Sequence, residues 1–325
     1  MNPVFELCYS ATAGLRLADE WVWCGSALRG ADGIHLYASC WSKRYPMFEG
    51  YILNSRIVHA FSPTPEGSYR VVDDVVPFRG GKLRMAHNPT VLARNGRYYL
   101  YFIGSDCAGT PDVHDSEAIC RIYQGIRIYL GVADSPAGPW RISEEPILSA
   151  APGSWDAAIV TNPAPCFLPD GSVYLYYRSN TPKGLRLGLA RAASPEGQYS
   201  RLLDHPVMDG INIEDPFVWH DGTKFHMLAK DMTGTLTGEL HAGALFESGD
   251  GIDWNFAGKG YSRTLTDAAD NQRHFGSFER PQLLFGPTGK PEYLFAAAAD
   301  GPGGFRKARN TWNTCARILQ KNKGD

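Results

Sequence analysis

The sequence lacks the features that mark several large classes of protein. Its 32 basic and 34 acidic residues give a net charge of −2, so it has no basic surplus of the kind that nucleic-acid-binding domains direct at phosphate. No apolar run approaches the roughly 18 residues that indicate a membrane-spanning helix. The first residues also show no basic stretch followed by an apolar core. These absences argue against nucleic-acid and membrane partners and predict a cytoplasmic location.

Paired cysteines and helical periodicity are missing too. The seven cysteines are an odd number, scattered, and never in a Cys-x-x-Cys spacing, which is typical of reduced thiols rather than of a disulfide framework or a zinc site. No segment keeps a helical period for long enough to build a helical core. The 35 glycines and 22 prolines indicate many turns, and a hydrophobic content of 43% suffices for a large core. Together these features predict an all-β chain.

What the sequence does contain is a phrase that recurs five times. Each copy has a polar residue, usually a proline, a short apolar run, a glycine turn and then an aromatic-rich strand. The copies begin at residues 24–28, 87–92, 161–165, 214–219 and 279–284. The steps from Gly25 through Pro89, Pro163, Pro216 and Pro281 are 64, 74, 53 and 65 residues. A period this long, with several short strands per unit, indicates radial repetition.

A second repeat, out of phase with the first, keeps nearly the same count. An alternating strand leads into a small-residue turn and an aromatic residue at 56–69, 128–140 and 187–199, and more loosely at 241–254. Strand, hairpin, strand, strand and turn make one four-stranded blade. We therefore predict a five-bladed β-propeller, with four-stranded antiparallel blades around a central channel. It forms a single domain over residues 1–325, with blades starting near residues 20, 84, 156, 210 and 275.

A propeller must join its first and last blades, because otherwise strand edges stay exposed. Strand-like segments at 5–9 and 312–319 flank the repeats. We expect one or both of them to complete the last blade.

The polar residues before the prolines are the candidate functional residues. The innermost strands of a propeller surround the channel, so their entry points converge, and such a funnel is a common place for a small ligand. The entries hold Cys24, His87 with Asn88, Thr161 with Asn162, Glu214 with Asp215, and Glu279 with Arg280. Because adjacent strand residues face opposite ways, the sequence leaves open which of Glu214 and Asp215 points into the funnel.

Carboxyl groups at the entries predict acid–base chemistry. Acid–base catalysis needs one group that donates a proton and a second that accepts one or attacks directly, and a pair of carboxyl groups can supply both. The leading pair is Asp215 and Glu279, with Glu214 and Asp156 in reserve. His87 is a further candidate, as acid, base or hydrogen-bond donor to a substrate.

Other side chains are predicted to bind the substrate. If the cations Arg280, Arg178, Lys230 and Lys43 converge, the funnel suits a carboxylate or phosphate on the ligand. Trp41 and Trp155 are expected to be exposed as flat faces on which a ligand can stack. The insertion at 106–124, with His114, Asp115 and Glu117, is expected to form a rim. No ligand spacing requires a metal or other cofactor, and a divalent cation such as calcium in the central channel stays an open alternative.

Several of these phrases resemble a known group of enzymes. The Asp-Pro-Phe-Val entry at Asp215, the Asp-Gly turns followed by Phe or Tyr, and the outer turn at 133–140 are similar to those of the five-bladed propellers of glycoside hydrolase families 43, 32, 68, 117 and 130. The resemblance covers nearly the whole chain. It implies a carbohydrate substrate, and in family 43 an inverting mechanism with a base Asp, a tuning Asp and an acid Glu on three inner strands.

The sequence departs from family 43 at the entries themselves. The first blade has Cys24 where that family would place its base, and the next two blades offer Asn88 and Asn162. The Glu-Asp-Pro sequence at 214–216 is also similar to a motif in family 130, which includes phosphorylases of mannosides. The chain thus resembles an atypical member of the group.

Three hypotheses follow for the function. The first is a glycosidase, family 43-like, that cleaves a terminal glycosidic bond in a short oligosaccharide, acidic if the cations converge. The second is a lyase on a uronate sugar, with His87 as the base, or a glycoside phosphorylase. The third is a sugar-binding propeller without catalysis, which the three uncharged entries favour. The oligomeric state is left undetermined.

Overall fold

The computed structural model describes residues 1–76, 83, 85–105, 112–301 and 303–319. Over these residues the chain forms a ring of five antiparallel blades around a central axis, as predicted. The chain begins with β1 (Glu6–Tyr9). Blade 1 consists of β2 (Glu20–Arg29), β3 (Ile34–Ser42), β4 (Arg56–Ser62) and β5 (Arg70–Val76). Blade 2 consists of β6 (Met85–Arg94), β7 (Arg97–Ser105), β8 (Arg127–Ala133) and β9 (Arg141–Ile142).

The third and fourth blades repeat this order. Blade 3 consists of β10 (Thr161–Phe167), β11 (Val173–Thr181), β12 (Gly184–Ala192) and β13 (Ser200–Arg201). Blade 4 consists of β14 (Ile213–His220), β15 (Phe225–Asp231), β16 (Gly243–Ser248) and β17 (Asn255–Tyr261). A hairpin of β18 (Thr264–Thr266) and β19 (Gln272–His274) leads on to β20 (Ser277–Phe285), β21 (Pro291–Ala299) and β22 (Thr311–Leu319).

Both ends of the chain close the ring. In blade 5, β20, β21 and β22 supply the three inner strands and β1 adds the fourth. β1 runs antiparallel to β22, with Cys8 opposite Arg317, and parallel to β18. The expectation that the flanking segments complete the last blade is confirmed, and both are used.

The hydrophobic core lies between the faces of neighbouring blades. Between blades 2 and 3, Tyr101 and Ile103 pack in one cluster with Leu175 and Tyr177. Alternate residues of these strands point to one face of their sheet, which explains the i, i+2 spacing. Each such side chain, once removed from water, stabilises the fold by roughly 1.5–3 kcal/mol. The packed blades therefore hold the inner strands in fixed positions around the axis.

Every inner strand carries a β-bulge where it enters the channel. The pairing register shifts between Trp23 and Ser26 in blade 1 and at the equivalent place in the other four blades. At each bulge one residue other than glycine has a left-handed backbone, with φ between 53° and 60°: Cys24, Asn88, Asn162, Asp215 and Arg280. Asn and Asp adopt this conformation most readily among residues with a side chain. A bulge re-aims side chains and interrupts the alternation of a strand.

Three short insertions extend beyond one end of the channel. They are α1 (Met47–Asn54), α2 (Ser116–Gln124) and the 3₁₀ helix Phe305–Lys307. Ile52 and Leu53 of α1 pack against Ile119 and Ile122 of α2. No helix in the described ranges is long and apolar enough to cross a membrane.

Candidate active site

The five left-handed residues join their side chains around the axis. The Cys24 thiol donates to Asn88 Oδ1 at 2.8 Å, Asn88 Nδ2 to Asn162 Oδ1 at 2.8 Å, and Asn162 Nδ2 to Asp215 Oδ1 at 2.7 Å. Arg280 Nη1 approaches the same Asp215 oxygen at 3.4 Å. All five residues are buried. This axial ring, as we call it, brings together entries that lie 53 to 74 residues apart in the sequence.

A cavity of about 220 Å³ lies directly on the axial ring. Asn88, Asn162, Asp215 and Arg280 line it, together with the residue that precedes each bulge. Those preceding residues are Trp23, His87, Thr161, Glu214 and Glu279. Both Glu214 and Asp215 therefore line the cavity, because the bulge cancels the usual alternation of the strand.

Three carboxylates surround one ammonium group at one side of this pocket. Lys230 Nζ lies 2.5 Å from Glu214 Oε1, 2.5 Å from Glu279 Oε2 and 3.6 Å from Asp215 Oδ2. The Lys230 side chain is only 3% exposed, and a buried charge is tolerated only when it is paired. The pairing partners of Lys230 are thus the three candidate carboxylates, and their charges raise its pKa well above the ordinary value even though burial acts to lower it.

The environment moves the pKa values of Glu214 and Asp215 apart. Burial would raise the pKa of Glu214, but Lys230 and Arg178 outweigh it and lower the pKa to about 2. Burial, followed by the negative charge of Glu214, raises the pKa of Asp215 to about 6. Near neutral pH, Glu214 is ionised whereas Asp215 takes up a proton readily. A pair of carboxyl groups separated in this way is suited to acid and base roles.

His87 is neutral and presents an acceptor. Burial, together with the charge of Arg280, holds its pKa well below the ordinary value. Ser55 donates its hydroxyl proton to the Ala86 carbonyl at 2.8 Å, so the 2.8 Å contact between Ser55 Oγ and His87 Nδ1 requires Nδ1 to carry the proton. Nε2 is then the unprotonated nitrogen. Of the three roles proposed for His87, this state fits a base, and it fits neither an acid nor a hydrogen-bond donor to the substrate.

Cationic groups converge on the pocket, as the sequence suggested in part. Arg178 and Arg280 line it, and Arg306, which the sequence reasoning did not single out, lines it as well. Lys230 lies among the carboxylates. Lys43 is elsewhere: its ammonium group donates to the Ala18 carbonyl and to Asn310 Oδ1, both at 2.9 Å.

Three more of the candidate residues also lie away from the pocket. Trp41 is 1% exposed, so the expectation that it is exposed is wrong; its indole donates to the Met47 carbonyl beneath α1, and its ring packs against His87. Asp156 is fully buried and accepts from Tyr177 Oη and Arg201 Nε, each at 2.8 Å. Trp155 is partly buried and stacks on Tyr177. Packing and a buried ion pair explain these side chains.

The rim of the pocket comes mainly from the three insertions. Its residues are Met47, Phe48 and Tyr51 from α1, Tyr123 from α2, and Phe305 and Arg306 from the 3₁₀ helix. Of the predicted rim at 106–124, the first six residues lie outside the described part, and α2 contributes Tyr123. The remaining rim residues were missed because they lie outside the repeat. The one available signal was their position in irregular segments between repeated strands.

The carboxylate cluster is a poor fit for a metal ion. One oxygen each from Glu214, Asp215 and Glu279 lies within 4.8 Å of the others, which is a spacing that a cation could bridge. Lys230, however, already places an ammonium group in contact with two of the three.

The remaining cysteine chemistry is unremarkable. Burial raises the pKa of the Cys24 thiol to about 12, with the charge of Arg280 acting in the opposite direction. The thiol is therefore neutral and not a nucleophile. Each of the six cysteines in the described residues is free.

No protein-family model and no curated protein sequence matches this chain. Solved structures do. A family 117 glycoside hydrolase from the marine bacterium Zobellia galactanivorans matches with a TM-score of 0.71 and 15% identity, over 97% of this chain and 91% of that one. The GH43_1 enzyme from Xanthomonas citri complexed with xylose matches with a TM-score of 0.60 and 16% identity, over 97% and 92%.

A longer protein shares the same fold. The GH32 β-fructofuranosidase of Bombyx mori matches with a TM-score of 0.61 and 16% identity, over 98% of this chain and 63% of that one. Identities this low establish the fold alone, which is that of the five-bladed β-propeller glycoside hydrolases. The low identity agrees with the atypical entries of this sequence.

Proposed function

We propose that this protein is a glycoside hydrolase that cleaves a terminal sugar from a short oligosaccharide bound in the axial pocket. The observation that carries the proposal is the pair of adjacent carboxyl groups, Glu214 and Asp215, whose pKa values are driven apart at the floor of the cavity. An aromatic rim that includes Phe48, Tyr51 and Tyr123 supplies faces against which a sugar ring can stack. The shared fold and the carbohydrate complex of one structural relative add support.

Each carboxyl group has a distinct role in this proposal. Asp215, with its raised pKa, holds the proton that is delivered to the leaving oxygen. Glu214 stays ionised and is the more exposed of the two, with 16% of its side chain accessible against 5%. Glu279, predicted as a member of the leading pair, instead shares Lys230 with Glu214 and fixes the position of that ammonium group.

The spacing of the carboxylates favours direct attack over activation of water. An oxygen of Glu214 and an oxygen of Asp215 lie within 4.8 Å of each other, a closer approach than the roughly 6.5–9.5 Å between carboxyl groups that leaves room for a water molecule in inverting enzymes. We therefore expect the anomeric configuration to be retained. In this mechanism Glu214 is the nucleophile. Proton NMR of the first-formed product would show the retained configuration, and an inverted product would exclude Glu214 as the nucleophile.

The test is a screen of purified protein against aryl glycosides and short oligosaccharides, with Asp215→Asn and Glu214→Gln beside the parent. Both variants should lose at least a hundredfold in kcat. Glu247→Gln, which removes a carboxylate from a surface ion pair with Lys224, is the matched control and should retain full activity. Turnover that survives both pocket substitutions would overturn the proposal.

A second candidate is β-elimination on a uronate sugar, and the state of His87 favours it. His87 Nε2 would take the proton from C5, the C4–oxygen bond would break, the leaving oxygen would take up a proton, and a C4–C5 double bond would form without any oxidant. The unsaturated product of elimination absorbs ultraviolet light, whereas hydrolysis forms no such product. If the protein is a lyase, His87→Gln should abolish this absorbance. If it is a hydrolase, Asp215→Asn should abolish turnover.

A further inference from the structure

Arg280 occupies the floor of the axial pocket with most of its hydrogen-bonding capacity unused. The residue is 3% exposed. Its Nη1 lies 3.4 Å from Asp215 Oδ1, while Nε and Nη2 are buried and have no hydrogen-bond partner among the described residues. The Cys24 thiol also lies within hydrogen-bonding reach of the Arg280 guanidinium, but it is neutral and a weak acceptor. Leaving buried donors of a charged group unpaired is costly, so such donors usually mark a missing partner.

Arg178 repeats this pattern at the wall of the pocket. Its Nη1 donates to Asn180 Oδ1 at 2.6 Å and its Nη2 to Tyr123 Oη at 3.3 Å. Its Nε is buried, has no hydrogen-bond partner in the described part of the chain, and lies 3.8 Å from Glu214 Oε2. At the rim, the Arg306 guanidinium stands 3.8 Å from the centre of the Phe48 ring. Three guanidinium groups thus line one small cavity.

The charges around the cavity do not balance. Glu214, Asp215 and Glu279 supply at most three negative charges, while Lys230, Arg178, Arg280 and Arg306 supply four positive ones. Lys230 engages both glutamates at 2.5 Å, whereas the carboxylate nearest to Arg280 is Asp215, at the longer distance of 3.4 Å. When Asp215 carries its proton, Arg280 has no ionised partner in hydrogen-bonding contact among the described residues. The pocket therefore has a positive surplus directed at its ligand.

We infer that the ligand carries a carboxylate, as in a uronic acid, and that the guanidinium group of Arg280, which lines the cavity, binds it. Two parallel N–H donors on one planar edge match the two oxygens of a carboxylate better than they match a single hydroxyl group. The aromatic rim then contacts the sugar ring. The inference rests on the proposed function in one respect, that the ligand is a sugar; it adds the chemical class of that sugar.

The experiment measures binding and needs no turnover. Calorimetric titrations at pH 7 compare glucuronate and galacturonate with glucose and galactose, and with inorganic phosphate alone. We expect the better uronate to bind at least tenfold more tightly than its neutral counterpart. Arg280→Gln should remove that preference, and Arg280→Lys should keep only part of it because the charge remains and the two-point edge is lost. Arg141→Gln, at an exposed ion pair on blade 2, should bind like the parent.

A second variant covers the case in which Arg280→Gln does not fold. Arg178→Gln keeps the axial ring intact, and we expect it to weaken uronate binding severalfold with little effect on neutral sugars. The uronate preference should also fall as salt is raised from 50 to 500 mM, since charge pairing is screened.

Several results would overturn the inference. Equal binding of neutral and acidic sugars would do so, as would phosphate binding without uronate binding, which would assign the cations to a free anion. Failure of the proposed function looks different. If the parent binds uronates, Arg280→Gln does not, and no glycoside is cleaved, the inference stands and the hydrolase proposal fails. If the parent and Arg280→Gln cleave neutral glycosides equally well, the hydrolase proposal stands and the inference fails.

Discussion

The two arcs of the axial ring share one backbone but differ in chemistry. Cys24, Asn88 and Asn162, from blades 1 to 3, form a neutral arc in which each side chain donates to the next. Asp215 and Arg280, from blades 4 and 5, form a charged arc; Asp215 also lies 3.6 Å from Lys230, which pairs with the two glutamates. All five residues have the same left-handed conformation. The difference shows that the repeat fixes where the side chains go, whereas the residue at each bulge decides what they can do.

Removing Lys230, the cation beside the charged arc, should have the largest effect on stability. Lys230→Gln leaves buried carboxylates without a partner, and breaking such a group typically costs about 3–5 kcal/mol of unfolding free energy. Urea unfolding of Lys230→Gln would measure the loss. The matched control is Lys259→Gln, where the ammonium pairs with the single carboxylate of Glu239 at 3.2 Å. If both substitutions cost the same, the charged arc is not a special structural element.

Neutralising Asp215 should stabilise the protein at high pH while it abolishes activity. The pKa of Asp215 is raised from an ordinary 3.8 to about 6, so the folded state favours the protonated form, and ionisation above pH 6 costs stability. Asp215→Asn removes this cost, with a gain of up to about 3 kcal/mol at 1.36 kcal/mol per pKa unit. The gain should be complete above pH 6 and vanish as the pH falls to about 4. Thermal unfolding at pH 4, 5, 6 and 8 measures it, and a variant less stable than the parent at pH 8 would contradict the raised pKa.

Placing a carboxylate in the neutral arc should erase the contrast between the arcs. In Asn162→Asp, a carboxylate replaces the amide that donates to Asp215 at 2.7 Å. Two negatively charged groups would then lie next to each other, so the pKa of Asp215 rises further. We expect a loss of about 1–3 kcal/mol at pH 8 that shrinks at pH 5, since an unsatisfied buried polar group costs that much. The exposed Asn255→Asp on β17 is the control. A pH-independent loss would indicate a packing defect instead.

The smallest effect is expected at the end of the neutral arc. Cys24→Ala removes one thiol donor, and Asn88 keeps its bond to Asn162. We expect a loss of about 1 kcal/mol and a normal pH profile. A loss as large as that of Lys230→Gln would show that the two arcs are equally important for stability.

The sequence predicts the fold of this molecule better than it predicts the site. The two repeats indicate five blades, and the polar residues before the prolines indicate the axial ring, because both follow from spacing. Alternation along a strand would have placed only one of Glu214 and Asp215 in the funnel. The bulge places both there, and the strict alternation of side chains along a strand does not predict a bulge.

The other misplacements have the same origin in non-repeating segments. Trp41 lies in what the sequence presents as a polar loop, but α1 covers it. Lys230 is adjacent to Asp231 in the sequence, yet Asp231 accepts backbone N–H groups from Gly234 and Thr237 and leaves the ammonium group to the glutamates. Phe48, Tyr123 and Arg306 reach the rim only through the packing of separate insertions.

The closure of the ring also determines when the site can exist. Cys24 and Arg280 are 256 residues apart, and blade 5 is complete only when β1 pairs with β22. Contacts between such distant segments form late and slowly, because the entropy of closing the intervening loop opposes them. During refolding, binding in the axial pocket should therefore recover after the blades have acquired their strand signal. The ligand would then serve as a probe of the final step of folding, and a nascent chain would stay unable to bind until its last strand had been made.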